Sequence, residues 1–134
     1  MKNYLIISLL IFSVVYSQKE YNLGHIVERD GLYYKKFSDE IVNGVVFQMY
    51  GDMKVPLGMM KDGKQQGMWY KWYVSGLKMK EGRYKNGKPN ELWTEWYENG
   101  QKKGEGTYKD GETDGLWTYW DENGQKKEVG TYKD

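Results

Sequence analysis

Trp69, Trp93 and Trp117 stand 24 residues apart, and Trp72, Trp96 and Trp120 repeat the interval three positions on. The register extends to Gly76, Gly100 and Gly124, to Lys78, Lys102 and Lys126, to Gly82, Gly106 and Gly130, and to Tyr84, Tyr108 and Tyr132. A fixed period of this length marks a repeat architecture, in which each unit buries its apolar surface only against its neighbours. The unit reads Gly-x-Trp-x-x-Trp-Tyr-x-x-Gly-x-Lys-x-x-x-Gly-x-Tyr-Lys-Asp-Gly, with Gly63, Gly87 and Gly111 closing successive copies. An eroded copy, about one residue short in its first half, runs from Gly44 through Gly58 to Gly63. Upstream, Asp30-Gly31-Leu32-Tyr33-Tyr34 reads as half a unit.

Turn signals divide each unit in two. Asn99-Gly100 and Asn123-Gly124, with Ser75-Gly76 in their place earlier, suit tight two-residue hairpin turns. Asp62-Gly63, Asn86-Gly87 and Asp110-Gly111 mark the other junction, expected to be longer, about four to six residues. The strands then run over 68–73 and 77–85, 92–97 and 101–109, 116–120 and 125–133. Pro56 and Pro89 fall at or near junctions, where a missing N–H costs least. The chain contains no alanine but 17 Gly, 13 Tyr and 6 Trp, which favours strands and turns over helices. The expected fold is all-β: an elongated, largely single-layer antiparallel meander of eight or nine strands built from hairpin repeats.

Strand alternation puts Gly82 and Tyr84 on one face, and Met79, Glu81 and Arg83 on the other. Gly67 shares a face with Trp69, and Gly115 with Trp117. Each unit thus presents glycine-x-aromatic twice, and a glycine leaves room for a neighbouring strand's ring to lie flat across its backbone. Trp72, Trp96 and Trp120 form a second ladder on the opposite face with Met68, Leu92 and Leu116.

This glycine- and aromatic-rich hairpin resembles the MORN repeat in its shorter bacterial variant, over residues 44–134 and most closely over 67–134. The resemblance implies an extended sheet that serves binding or scaffolding, and some bacterial relatives are labelled antitoxins. Three positions depart from the pattern: Glu91 where Gly67 and Gly115 stand, Asp121 where Tyr73 and Tyr97 stand, and Val129 where Glu81 and Glu105 stand. The first argues against a positive-φ turn at 91, and the other two alter surface chemistry.

The chain also divides by composition into a leader at 1–17, an N-terminal segment at 18–43 and the repeat domain at 44–134. Lys2 precedes an apolar run from Tyr4 to Tyr16, shorter than the roughly 20 residues of a spanning helix, and Val15 and Ser17 suit a cleavage site. Export to the periplasm, the cell surface or the medium is therefore expected. With 20 Lys+Arg against 19 Asp+Glu the charge is balanced, so nothing draws the chain to nucleic acid or to an anionic membrane.

Catalytic constellations are sparse. Cysteine is absent, and His25 is the single histidine, so neither a thiolate nor a shared-imidazole metal site can form. A Ser-His-Asp arrangement would need Ser38 with His25, and their spacing gives it no support. Paired carboxylates among Glu95, Glu98, Glu105, Asp110, Glu112 and Asp114 read first as a solvated face and second as a hydrolase pair. The glycines lack a strand–loop–helix context and are turns rather than phosphate cradles. The lysine column, doubled by Lys103 and Lys127, reads as protection against sheet-to-sheet association.

The sequence thus points to a non-enzymatic exported scaffold for protein–protein interaction, antitoxin-like in its narrower form, without a cofactor or metal. The alternative is a cell-wall or glycan binding module using an exposed aromatic ladder. Candidate binding residues are Trp69, Trp93 and Trp117 on one face, Trp72, Trp96 and Trp120 on the other, and Val129 with Tyr132 on the last strand. That strand's open edge is the expected docking site, for a second copy or for an extended segment of a partner.

Overall fold

A computed structural model describes residues 18–132; the expected leader lies outside them. The strands in chain order are β1 (Glu20–Asn22), β2 (Ile26–Arg29), β3 (Leu32–Lys35), β4 (Gly44–Tyr50), β5 (Met53–Lys61), β6 (Lys64–Trp72), β7 (Lys78–Lys85), β8 (Lys88–Trp96), β9 (Lys102–Lys109), β10 (Glu112–Trp120) and β11 (Lys126–Tyr132). Strands β4 to β11 form an antiparallel meander in sequence order, as the hairpin repeat requires. The parallel pairing of β1 with β4 has no signature in the sequence, whereas the separate hairpin of β2 and β3 turns at Asp30-Gly31, the dipeptide of the half unit, with both residues at positive φ.

The two junctions exchange the roles expected of them. Asp62-Gly63, Asn86-Gly87 and Asp110-Gly111 are the two-residue turns, with both residues at positive φ in every copy. This is the geometry whose twist matches a hairpin. Each of these glycines also donates its N–H to a carbonyl of the preceding unit or segment: Gly63 to Val42, Gly87 to Gln65 and Gly111 to Pro89, all at 2.9 Å. The Asn99-Gly100 junction is wider. Gly100 N–H bonds to Tyr97 O and Tyr97 N–H to Gln101 O, so three residues form the loop, and only the glycine has positive φ. The Asn99 side chain instead accepts from Gln101 N–H at 2.9 Å. Both dipeptide types tolerate positive φ, and the packing of the rings decides which of them uses it.

Because the tight turns lie at the other junction, β6, β8 and β10 begin at Lys64, Lys88 and Glu112, four residues before the expected starts. The additional residues are absorbed by bulges at Glu91 and Gly115, and Gly67, where the ladder to β5 ends, shares their positive φ. Glu91 therefore adopts the backbone of its glycine counterparts, contrary to expectation. Its exposed side chain reaches Arg83 at 3.1 Å. Pro56 lies within β5 rather than at a junction, at a bulge where β5 pairs only with β4, so no ladder bond to β6 is lost.

A second bulge, at Met79 and at Lys103, breaks strict alternation in β7 and β9. It brings Lys78 and Lys102 onto the face of Trp72, Trp96 and Trp120, where Lys78 pairs with Glu81 at 2.5 Å and Lys102 with Glu105 at 2.7 Å.

The repeats hold together through rings laid on glycines. Trp69 covers Gly58, Trp93 covers Gly82 and Trp117 covers Gly106, and a Cβ built on any of these glycines would fall within 2.1 to 2.5 Å of the indole. Tyrosines fill the gaps between indoles. Trp69, Tyr84, Trp93, Tyr108 and Trp117 meet edge to face at centroid separations of 6.1, 5.1, 5.8 and 5.1 Å. Each such pair adds about 0.5 to 1.5 kcal/mol beyond area burial.

At the β4 end a more ordinary core forms, where Tyr21, Ile26 and Val42 pack with Val46, Leu57, Met60 and Trp69. Lys19 and Tyr21 fasten this segment to Glu40 at 2.7 and 3.0 Å, and these bonds hold the Glu40 carboxyl below its ordinary value.

Two measurements check this account. Gly106→Val is expected to lower stability by about 2 to 3 kcal/mol through overpacking, whereas Thr107→Val stays within roughly 0.5 kcal/mol. Equal melting temperatures would remove the ring-on-glycine contact as the cause. A Cβ placed on Gly115 would meet no heavy atom within 4 Å, so the requirement for glycine there is purely conformational. Gly115→Ala should therefore destabilise by about 1 kcal/mol, and Glu91→Gly should stabilise by about 0.5 kcal/mol after loss of an exposed ion pair. Denaturant titration of both variants reads the signs, and the same sign for both would contradict the argument.

Candidate functional site

The two tryptophan ladders differ in what they leave available. Trp69, Trp93 and Trp117 are 8%, 5% and 3% exposed, so their faces are occupied by glycine backbone and tyrosine edges. Trp72, Trp96 and Trp120 are only half-buried. Trp72 stacks on Tyr70 at 5.9 Å, and the Lys78 ammonium lies 5.5 Å from Tyr70 and 5.3 Å from Trp96. Lys102 lies 5.5 Å from Trp120. Trp96 and Trp120 are thus capped by cations already paired with glutamates, while Trp72 lies against Tyr70. Val129 is 44% exposed on β11, and Tyr132 ends that strand opposite Gly115. No single surface gathers the candidate residues.

What the sequence did not single out is a cleft of about 340 Å³ on the buried-ladder face, next to the N-terminal core. Leu23, Leu57, Trp69, Tyr84 and Trp93 supply its apolar lining, and Gln48, Gln65, Lys71 and Lys80 its polar groups. Lys71 and Lys80 are direct cross-strand partners. Like charges in that position repel. Glu95 neutralises Lys80 at 2.7 Å, and the Lys80 ammonium also lies 5.0 Å from the Trp93 ring, while Lys71 is exposed and has no ion pair among the described residues.

The cleft also contains a break in the repeat. Trp69 and Trp117 donate their indole N–H to Met59 O and Thr107 O at 3.0 Å, but the buried Trp93 N–H has no acceptor among the described residues. Burial pushes the Tyr84 hydroxyl up from its ordinary value. Gln48 and Lys71 are 23 positions apart in sequence and line the same cleft only because of the sheet, and no sequence pattern links them.

Two of the carboxylates that could serve acid–base work are engaged elsewhere: Glu95 with Lys80, and Glu105 with Lys102 and Thr94. Among the described residues, no three His, Cys, Asp or Glu side chains are grouped to hold a metal.

Asp121 does more than alter surface chemistry. Tyr73 and Tyr97, its counterparts, donate across the sheet to Trp96 O at 2.8 Å and Trp120 O at 2.9 Å, tying each unit to the next. The Asp121 carboxylate turns back and accepts from Gln125 N–H at 2.9 Å and Asn123 N–H at 3.0 Å. These bonds, Gln125 first, with Lys127 nearby, hold its carboxyl below the ordinary value.

With this hairpin geometry established, the family comparison has a structural meaning. The family model described as MORN repeat variant matches residues 92–110 and 113–134. These segments correspond to the β8–β9 and β10–β11 hairpins and make up less than half of the chain. Repeats of this kind are scaffolds for protein or membrane contact. No curated protein and no solved structure matches the chain.

A group whose folded pKa is depressed stabilises above its unfolded value, and the contribution disappears as pH falls through the folded value. Asp121→Asn is therefore expected to be less stable than the parent at pH 7, with the gap closing below about pH 4, the ordinary carboxylate range. Melting curves from pH 7 to pH 2 provide the check, and a gap independent of pH would show that the charge on Asp121 contributes nothing.

Proposed function

We propose that the chain is an exported, non-catalytic scaffold that binds a protein partner. The observation that carries this reading is the cleft of Trp69, Tyr84 and Trp93, where rigid aromatic walls meet the unpaired Lys71 ammonium and the unpaired Trp93 donor. Preordered rings beside an uncompensated charge resemble the anchors of protein interfaces, because little side-chain freedom remains to be lost on binding. The export part rests on the apolar run from Tyr4 to Tyr16. An antitoxin-like role is the narrower form of the same proposal, and with export it places neutralisation outside the cytoplasm.

The half-buried ladder of Trp72, Trp96 and Trp120 favours the second reading, a glycan or cell-wall module, since partly exposed rings at regular spacing suit sugar faces. One experiment separates the two. The tagged chain and two variants, Lys71→Glu and the triple replacement Trp72→Ser, Trp96→Ser and Trp120→Ser, are cross-linked to envelope proteins and also passed over isolated cell wall. The scaffold reading expects a cross-linked protein that Lys71→Glu reduces at least tenfold while its melting temperature holds. Retention on cell wall that only the triple variant loses would instead establish the glycan reading.

A further inference from the structure

The aromatic packing is periodic, and β11 carries two positions of the pattern that no ring occupies among the described residues. The first is Gly130. It pairs with Trp117 as Gly82 pairs with Trp69 and Gly106 with Trp93. Gly82 and Gly106 are each covered on their other side by the indole of the next strand, and β11 is the outermost strand of the described sheet. The second position is Lys126. It pairs with Trp120 as Lys78 pairs with Trp72 and Lys102 with Trp96. Lys78 and Lys102 each hold a ring of the next unit, Trp96 at 5.3 Å and Trp120 at 5.5 Å. They are also neutralised by Glu81 and Glu105, whereas the equivalent position for Lys126 is Val129, exposed and apolar.

We propose that the outer edge of β11 binds an extended segment of another protein, added antiparallel, with the spacing Trp-x-x-aromatic. The first ring lies over Gly130 and the second, on the opposite face, meets the Lys126 ammonium. The spacing is the internal one: Trp93 covers Gly82 while Trp96 meets Lys78, and Trp117 covers Gly106 while Trp120 meets Lys102. The main-chain groups of an edge strand supply affinity, and the two ring positions supply selectivity.

A second copy of the chain fits this edge poorly. Pairing β11 with β11 brings no tryptophan, since none lies in Lys126–Tyr132. At the opposite edge, β1 pairs along β4 from Val45 to Phe47, and the fully buried Val46 stands opposite Gly58 where a tryptophan would be needed. A further repeat also lacks its tether, because Asp121 has replaced the tyrosine that would reach the next unit's carbonyl. A separate segment needs only the edge and the two ring positions.

This inference goes beyond the scaffold reading by adding a second contact at β11, away from the Lys71 cleft, and its test uses a defined probe. A labelled synthetic peptide with the sequence of residues 111–121, which carries Trp117 and Trp120 at the required spacing, is titrated into the full chain. Saturable binding is expected, with amide protection confined to residues 126–132. Trp117→Ser in the peptide should weaken binding at least tenfold, and Lys126→Glu in the chain should weaken it several-fold while leaving the melting temperature unchanged. No binding at millimolar peptide, or equal affinity for the Trp117→Ser peptide, would overturn the proposal. Protection of 126–132 that rises with chain concentration in the absence of peptide would also overturn it, since a second copy would then be the occupant. A partner cross-linked at the Lys71 cleft while the β11 amides stay exposed would sink this inference and leave the scaffold standing.

Discussion

An indole lying flat on a glycine of the neighbouring strand is the contact on which the rest of this sheet depends. A single sheet has no second layer to cover its faces, so cover has to come from within. A tryptophan buries about 150 to 250 Å², worth on the order of 4 to 6 kcal/mol at 25 cal/mol per Å² as an upper bound. The ion pairs on the same sheet, most of them substantially exposed, bring roughly 0 to 1 kcal/mol each. The rings decide the register, and the charges settle around them.

That priority explains the local irregularities. To place Trp93 on Gly82 and Trp117 on Gly106, β8 and β10 must each take up additional residues after their tight turns, which forces the positive-φ bulges at Glu91 and Gly115. Glu91 is a non-glycine residue in a conformation that costs about 1 to 2 kcal/mol, and the chain tolerates this because the ring packing is worth more. The bulge at Met79 follows the same logic and brings Lys78 over to the rings it covers.

The period, the all-β meander and the pairing of glycine with aromatic columns were legible because they repeat, and repetition exposes what each unit must satisfy. The assignment of turns was not. Asn99-Gly100 and Asn86-Gly87 carry the same local permission, and only long-range register tells which of them uses both positive angles. Strict alternation placed Trp72, Trp96 and Trp120 correctly on the face opposite Trp69, Trp93 and Trp117, but it failed for Lys78 once a bulge intervened. The parallel pairing of β1 lies outside the repeat, so the period carried no information about it, while the half unit at Asp30-Gly31 did mark the turn between β2 and β3. The cleft was invisible for a related reason: Lys71 and Lys80 are members of different columns, and their opposition arises from pairing across the hairpin.

The two outer strands of the described sheet differ in what they keep of the repeat. At the first end, Val42 takes the place of a preceding turn by accepting the Gly63 N–H, and Tyr33 N–H bonds to Gly63 O at 2.8 Å. Tyr21, Ile26 and Val42 then supply the apolar cover that an earlier repeat would have given. This end is built from residues that match no column, as expected where a cap must satisfy one unit without presenting a surface for another. At β11 the columns persist in Gly130 and Lys126, while Asp121 has replaced the tethering tyrosine and Val129 the pairing glutamate. A sequence drifting without constraint would lose columns indiscriminately. Here the positions that receive a ring are retained, while the tyrosine that ties one unit to the next and the glutamate that neutralises the ring-bearing lysine are replaced.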